Sequence, residues 1–120
     1  MSDATAARGR HAEQQARDHL QAHGLKLLAR NYRSRHGEID LVMQDGATIA
    51  FIEVRMRSRT DFGNGAQSID ARKQTRLQCS AEHYLQRRAS LLAPCRFDVV
   101  SVQKSGNTYQ LEWIQNAFGA

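Results

Sequence analysis

Between Gly37 and Arg57 lie two apolar segments, Gly37-Glu38-Ile39-Asp40-Leu41-Val42 and Thr48-Ile49-Ala50-Phe51-Ile52-Glu53-Val54-Arg55, separated by Gln44-Asp45-Gly46-Ala47. Asp-Gly between apolar runs signals a hairpin, because both central residues of the favoured turn need positive φ. With Asp45 and Gly46 as the loop, Gln44 pairs with Ala47, Asp40 lies opposite Phe51, and Glu38 lies opposite Glu53. Alternation then sets Glu38, Asp40, Glu53 and Arg55 on one face, with Asp40 and Glu53 diagonal neighbours. A one-residue slip would undo this relation, so the turn decides which acids meet.

The second segment is apolar on both faces, the pattern of an interior strand. Most strand carboxylates face water, but one at the end of a buried strand needs a partner. Three acids on one small face also repel each other and raise their pKa values unless a cation intervenes. Asp40 and Glu53 are therefore candidate ligands of a divalent ion. Carboxylates without thiolates or a histidine cage favour Mg²⁺ or Mn²⁺ over zinc.

A chain of 120 residues, 41% hydrophobic and 24% charged, suits one globular domain. Its net charge is +5 and its pI about 9.8, and arginine supplies 14 of its 17 cationic residues. Arginine is the better bidentate phosphate ligand, so an anionic polymer is the expected partner. Arg30, Arg33 and Arg35 precede the acidic motif, and Arg55, Arg57 and Arg59 follow it. With one Trp and three Tyr there is no interleaved aromatic set for stacking single-stranded bases, which favours a duplex or branched backbone. Cys79 and Cys95 read as reduced thiols. Met1 to Arg10 has no apolar leader core, and no apolar run approaches the length of a membrane span. The expectation is a cytoplasmic protein with no membrane association.

Residues 1–8 are small and polar and read as a disordered N-terminus, leaving 9–120 as the domain. The first helix spans Gly9 to His23, with Ala12, Ala16 and Leu20 as its buried stripe and Gly24 as its stop. Leu25 to Tyr32 reads as a strand ahead of the hairpin. Ser58 to Gly65 is a polar loop beside the site. A second helix covers Ser68 to Arg88, with Ser68 or Asp70 as N-cap and Leu77, Ala81, Tyr84 and Leu85 as its core stripe. Pro94 precedes the strand Phe97 to Val102, and Ser105-Gly106-Asn107 turns it into Tyr109 to Ile114. The result is a single α/β domain, a mixed sheet flanked by helices. His19 and His23 lack further ligands for zinc and read as a solvated pair. Asp98 reads as a structural partner of Arg96 or of a neighbouring strand. No glycine-rich phosphate loop or activated Ser or Cys arrangement can be assembled.

Asp, a turn, then Glu-x-Lys at the end of the next strand is the signature of the PD-(D/E)xK nuclease superfamily. The fuller pattern is Glu13, Gly37-Glu38-Ile39-Asp40, Phe51-Ile52-Glu53-Val54-Arg55-Met56-Arg57, Phe62-Gly63, Lys73, Arg96-Phe97-Asp98-Val99-Val100 and Asn116-Ala117-Phe118. Over Gly9 to Phe118 it resembles the bacterial YraN family, which is similar to archaeal Holliday junction resolvases. The resemblance implies a restriction-endonuclease-like fold and a Mg²⁺- or Mn²⁺-dependent endonuclease acting on DNA, with Asp40 and Glu53 on the metal and Glu13 supporting its water shell. Arg30, Arg33, Arg57 and Lys73 would hold the nucleic-acid backbone, and a homodimer would suit a four-way junction. One departure is that the signature lysine is Arg55. Arginine stays protonated, so Arg55 can stabilise phosphorane charge but cannot act as a base. The alternative is an inert DNA-binding module.

Overall fold

The computed structural model describes residues 2–57, 69–88 and 92–118, with residues 2–8 as backbone only. Helix α1 (Ser2–Ala22) leads into β1 (Lys26–Ser34), β2 (Gly37–Asp45) and β3 (Thr48–Arg57). Helix α2 (Ala71–Arg87) follows, then β4 (Cys95–Ser105) and β5 (Thr108–Phe118). The strands form one sheet in the order β1-β2-β3-β4-β5. Its neighbours are antiparallel except β3 and β4, which run parallel and are joined through α2. The expected mixed sheet flanked by helices is what forms.

Helix α1 starts at Ser2 rather than at the expected Gly9, in keeping with the strong helix propensity of the alanines in this stretch. Its small residues Ala12 and Ala16, with Leu20, are all within 1% of full burial. They pack on Leu41, Met43, Ala50, Ile52, Val100 and Val102. The helix ends as expected at Gly24 (φ 92°), where Leu25 N–H reaches Leu20 O at 3.1 Å and Gly24 N–H reaches Gln21 O at 3.0 Å. These two bonds make a Schellman closure, with Leu25 packed in the same cluster as Leu20.

Helix α2 covers the opposite sheet face with the expected stripe Leu77, Ala81, Tyr84 and Leu85, joined by Ile39, Val42, Phe51 and Phe97. Asp70 is its N-cap, accepting from Lys73 N–H at 2.8 Å. The expected polar loop at Ser58 to Gly65, and Ser68 as the other N-cap candidate, lie outside the described residues.

The first hairpin forms, but its turn is centred one residue later than expected. Asp45 pairs with Thr48, Gln44 with Ile49 and Val42 with Phe51. Only Gly46 of the loop pair Gly46-Ala47 has positive φ, 60°. A turn with positive φ at its first central position alone is the type II′ pattern, which needs a glycine there and spares Asp45 an unfavourable conformation. The pairing Asp40 to Phe51 and Glu38 to Glu53 is thereby corrected. Asp40 and Glu53 become the first residues past the last β2 to β3 pair, Leu41 with Ile52.

A candidate acid site where two strands part

Beyond Leu41 and Ile52, β2 stays paired with β1 as far as Gly37, and β3 stays paired with β4 as far as Arg57, but the two strands leave each other. The gap leaves backbone groups on the facing edges without ladder partners. Asp40 fills it, accepting from Val54 N–H with Oδ2 at 2.9 Å.

The strand is irregular at this point. Ile39 packs in the cluster beneath α2 and Leu41 in the cluster beneath α1, although residues two apart in a regular strand share a face. Across the ladder, Asn31 and Asp40 fall between the pairs Arg30 with Leu41 and Tyr32 with Ile39. Asn31 has φ 50°, a left-handed conformation that Asn tolerates better than most residues. The single face expected for Glu38, Asp40, Glu53 and Arg55 is therefore broken on the β2 side. On β3 alternation holds, and Arg55 and Arg57 share the face of Glu53.

Glu53 is 6% exposed and meets Lys73 Nζ at 2.8 Å from its Oε2. Burial, and then the hydrogen bond and charge of Glu53, push the Asp40 carboxyl up to about 9, with only the Val54 N–H bond opposing. The Asp40 carboxyl is thus held in its neutral form at pH 7, beside Glu53. Glu13, from α1, is raised as well, first by burial and then by Glu38 and Glu53 against the lowering effects of Asn31 and Arg30. With its amide nitrogen turned to them, Asn31 donates to Glu38 Oε1 at 2.8 Å and Glu13 Oε1 at 3.0 Å. Arg33 approaches Glu38 Oε2 at 3.6 Å from an exposed position.

Of the residues expected at the site, Glu13, Asp40, Glu53 and Lys73 converge on the gap, and Arg30 and Arg33 border it. Arg57 lies further along β3, 3.9 Å from Glu112 on β5. Among the described residues no three Asp, Glu, His or Cys side chains form a set able to hold a metal. Asp40 and Glu53 are two hard oxygen donors, the type that suits Mg²⁺ or Mn²⁺, and in this structure Lys73 is the cation beside Glu53.

A family model described as "Uncharacterised protein family UPF0102" matches residues 12–102. The chain belongs to the UPF0102 family. A UPF0102 protein of Methylobacillus flagellatus is 54% identical over 112 residues, 93% of this chain and 96% of that protein. One from Pseudomonas aeruginosa is 49% identical over 125 residues, covering both chains fully. One from Dechloromonas aromatica is 47% identical over 119 residues, 99% and 94% of the two chains. The family membership read from the sequence is borne out, and the matched descriptions carry no activity or substrate with it.

Arg35 was read as one of the flanking cations, but His36, Arg76 and the adjoining groove escape sequence reasoning. A cleft of about 600 Å³ at Asp40, Glu53 and Lys73 is also lined by Arg35, His36 and Arg76. It shares Ser34, Arg35 and His36 with a second cleft of about 530 Å³ that runs on to Cys79, Glu82 and His83. Tyr32 bonds His83 and Ser34 bonds Ser80 at 3.0 Å, tying β1 to α2 along this groove. The available signal was Arg72 and Lys73 in the first turn of α2, where the helix dipole disfavours cations. An Asn in a strand was the other.

Away from the gap, Asp98 is the structural partner of Arg96 that the sequence suggests. Asp98, fully buried, accepts from Arg96 Nε at 3.0 and 3.1 Å, Trp113 Nε1 at 3.0 Å and Asn116 N–H at 2.9 Å. The His19 and His23 rings lie tilted to each other with centroids 4.5 Å apart and Trp113 edge-on to both, so this pair, expected to be solvated, packs on Trp113. Cys79 and Cys95 are free thiols. Among the described residues no helix is long and apolar enough to cross a membrane.

Proposed function

We propose that the gap between β2 and β3 is a phosphodiester site acting on duplex or branched DNA, with Asp40 and Glu53 as ligands of Mg²⁺ or Mn²⁺. The reading rests on one observation: two carboxyls from separate strands meet in a buried gap that also holds a lysine ammonium, 2.8 Å from Glu53. The ion, when bound, supplies Lewis-acid polarisation of a phosphoryl oxygen and acidifies a water. Glu13, held by Asn31, accepts hydrogen bonds at the margin of that site. Lys73, on α2 and 2.8 Å from Glu53, takes the part of the lysine that position 55 lacks. The Arg55 guanidinium stays protonated and cannot serve as a base. Arg55 shares the β3 face and supplies charge to a developing phosphorane. Arg30, Arg33, Arg35 and Arg76 offer guanidinium forks to the backbone on either side.

A second reading has its own support. Lys73 at 2.8 Å already neutralises Glu53 without any metal, which suits an inert module that binds DNA but does not cut it. The test is purified protein with labelled linear, flapped and four-way DNA in Mg²⁺ or Mn²⁺, beside an Asp40→Ala, Glu53→Ala double variant. Cleavage lost in the variant supports the nuclease. Binding equal in both proteins, with no cleavage in either metal, supports the inert module.

A further inference from the structure

On the α1 side of the same gap lies a separate cleft of about 250 Å³, lined by Arg10, Glu13, Gln14, Arg17, Arg30, Asn31 and Leu41. Three guanidinium groups from two elements, α1 and β1, surround it against one carboxylate. Three like charges on one small concavity repel one another, so the cleft is a poor structural device unless an anion enters.

Arg17 sharpens the point. Its Nη2 donates to Gln14 Oε1 at 2.6 Å, while its Nε is fully buried with no hydrogen-bond partner among the described residues. A buried, charged N–H without an acceptor is costly, so Arg17 is not fully satisfied by its own neighbours. Arginine donors in a fork are suited to the oxygens of a phosphate.

We infer that Arg10, Arg17 and Arg30 form a phosphate subsite for a nucleic-acid strand, across the sheet from the groove that holds Lys73 and Arg76. The inference rests on the phosphodiester reading for its choice of polymer, but not on cleavage or on any metal. Glu13 forms its wall toward Asp40 and Glu53, and sets the held phosphate beside the acid pair. Two sources share this chemistry, a strand's terminal phosphate and an internal diester. The net charge of the lining, three cations against one acid, allows either.

The experiment is fluorescence anisotropy in EDTA, which removes divalent ions and so separates this binding from the fate of the metal site. Oligonucleotides with a 5′-phosphate, a 3′-phosphate or hydroxyls at both ends are titrated with the full chain, and inorganic phosphate is used as competitor. Arg17→Gln and the exposed Arg30→Gln are compared with the wild type, and circular dichroism confirms folding. Either variant is expected to bind about tenfold more weakly, the scale of a lost charge-assisted hydrogen bond. A preference for one phosphorylated end that vanishes in the variants assigns the subsite to a terminal phosphate. An equal loss on all three oligonucleotides assigns it to an internal diester. Wild-type affinity for every ligand in a folded Arg30→Gln and Arg17→Gln overturns the subsite, as does failure of the wild type to bind any of them.

Discussion

Lys73 Nζ lies 2.8 Å from Glu53 Oε2, joining the first turn of α2 to the strand edge where β3 parts from β2. The carboxylate is buried, whereas the lysine side chain is 41% exposed. Lys73 is thus a counter-ion that solvent reaches, with its backbone N–H fixed by the Asp70 cap.

Removing that counter-ion exposes how the acids are balanced. Lys73→Met is expected to cost about 1–2 kcal/mol of stability in EDTA, a value discounted for the lysine's exposure. Mg²⁺ or Mn²⁺ should restore more stability to the variant than it adds to the wild type. Differential scanning fluorimetry with and without the ions checks this, and equal metal responses in the two proteins would count against a shared cation position.

Asp40 gives a pH dependence with a definite sign. Its folded pKa, pushed up to about 9 from 3.8, means that the folded chain holds a proton the unfolded chain has released. Its contribution to stability is complete below about pH 4 and is lost progressively as pH rises through about 9. Asp40→Asn, which can still accept from Val54 N–H, should gain on the wild type across that window in metal-free urea denaturation. A difference that stays constant from pH 5 to pH 9 would falsify the proton held by Asp40.

Catalysis, if present, should depend on Lys73 rather than on restoring lysine at position 55. Lys73→Met is expected to slow cleavage by about 100-fold, the scale of one lost transition-state donor. Arg55→Lys should change it by less than about threefold, since Arg55 already supplies charge. Single-turnover rates on one DNA substrate decide between them, and a large gain from Arg55→Lys would transfer the role to that position.

Asp98 is an anchor away from the site. Its carboxylate receives Arg96, Trp113 and the Asn116 amide, and the last holds Asn116 at φ 52°. Asp98→Ala should destabilise by about 3 kcal/mol through the orphaned Trp113 and Asn116 N–H groups and a guanidinium left with Asp45 alone. Asp98→Asn should cost less. Because Trp113 is the single tryptophan, its emission reports the loss directly alongside the denaturation midpoint. An unchanged midpoint in Asp98→Ala would remove the anchor role.

The local elements were legible because their causes are local. The four-residue spacing of Ala12, Ala16 and Leu20, the glycine at 24 and the cap at Asp70 each act within a turn or two of helix. Asp98 with Arg96 was readable for the same reason, being two residues apart. Asp40 and Glu53 were legible as candidates, since acids on apolar strands need partners wherever they lie. Their actual relation was not. A turn centred one residue later moved Asp40 from a diagonal of Glu53 to the mouth of the gap with it, and sequence does not separate two adjacent turn centres by much energy. Only the tertiary structure decided that β2 and β3 part there, because that depends on β1 and β4 holding each strand from outside. The approach of Lys73 to Glu53 was settled at the same level. Twenty residues separate them in the chain, and only the packing of α2 on the sheet fixes how far a lysine can reach.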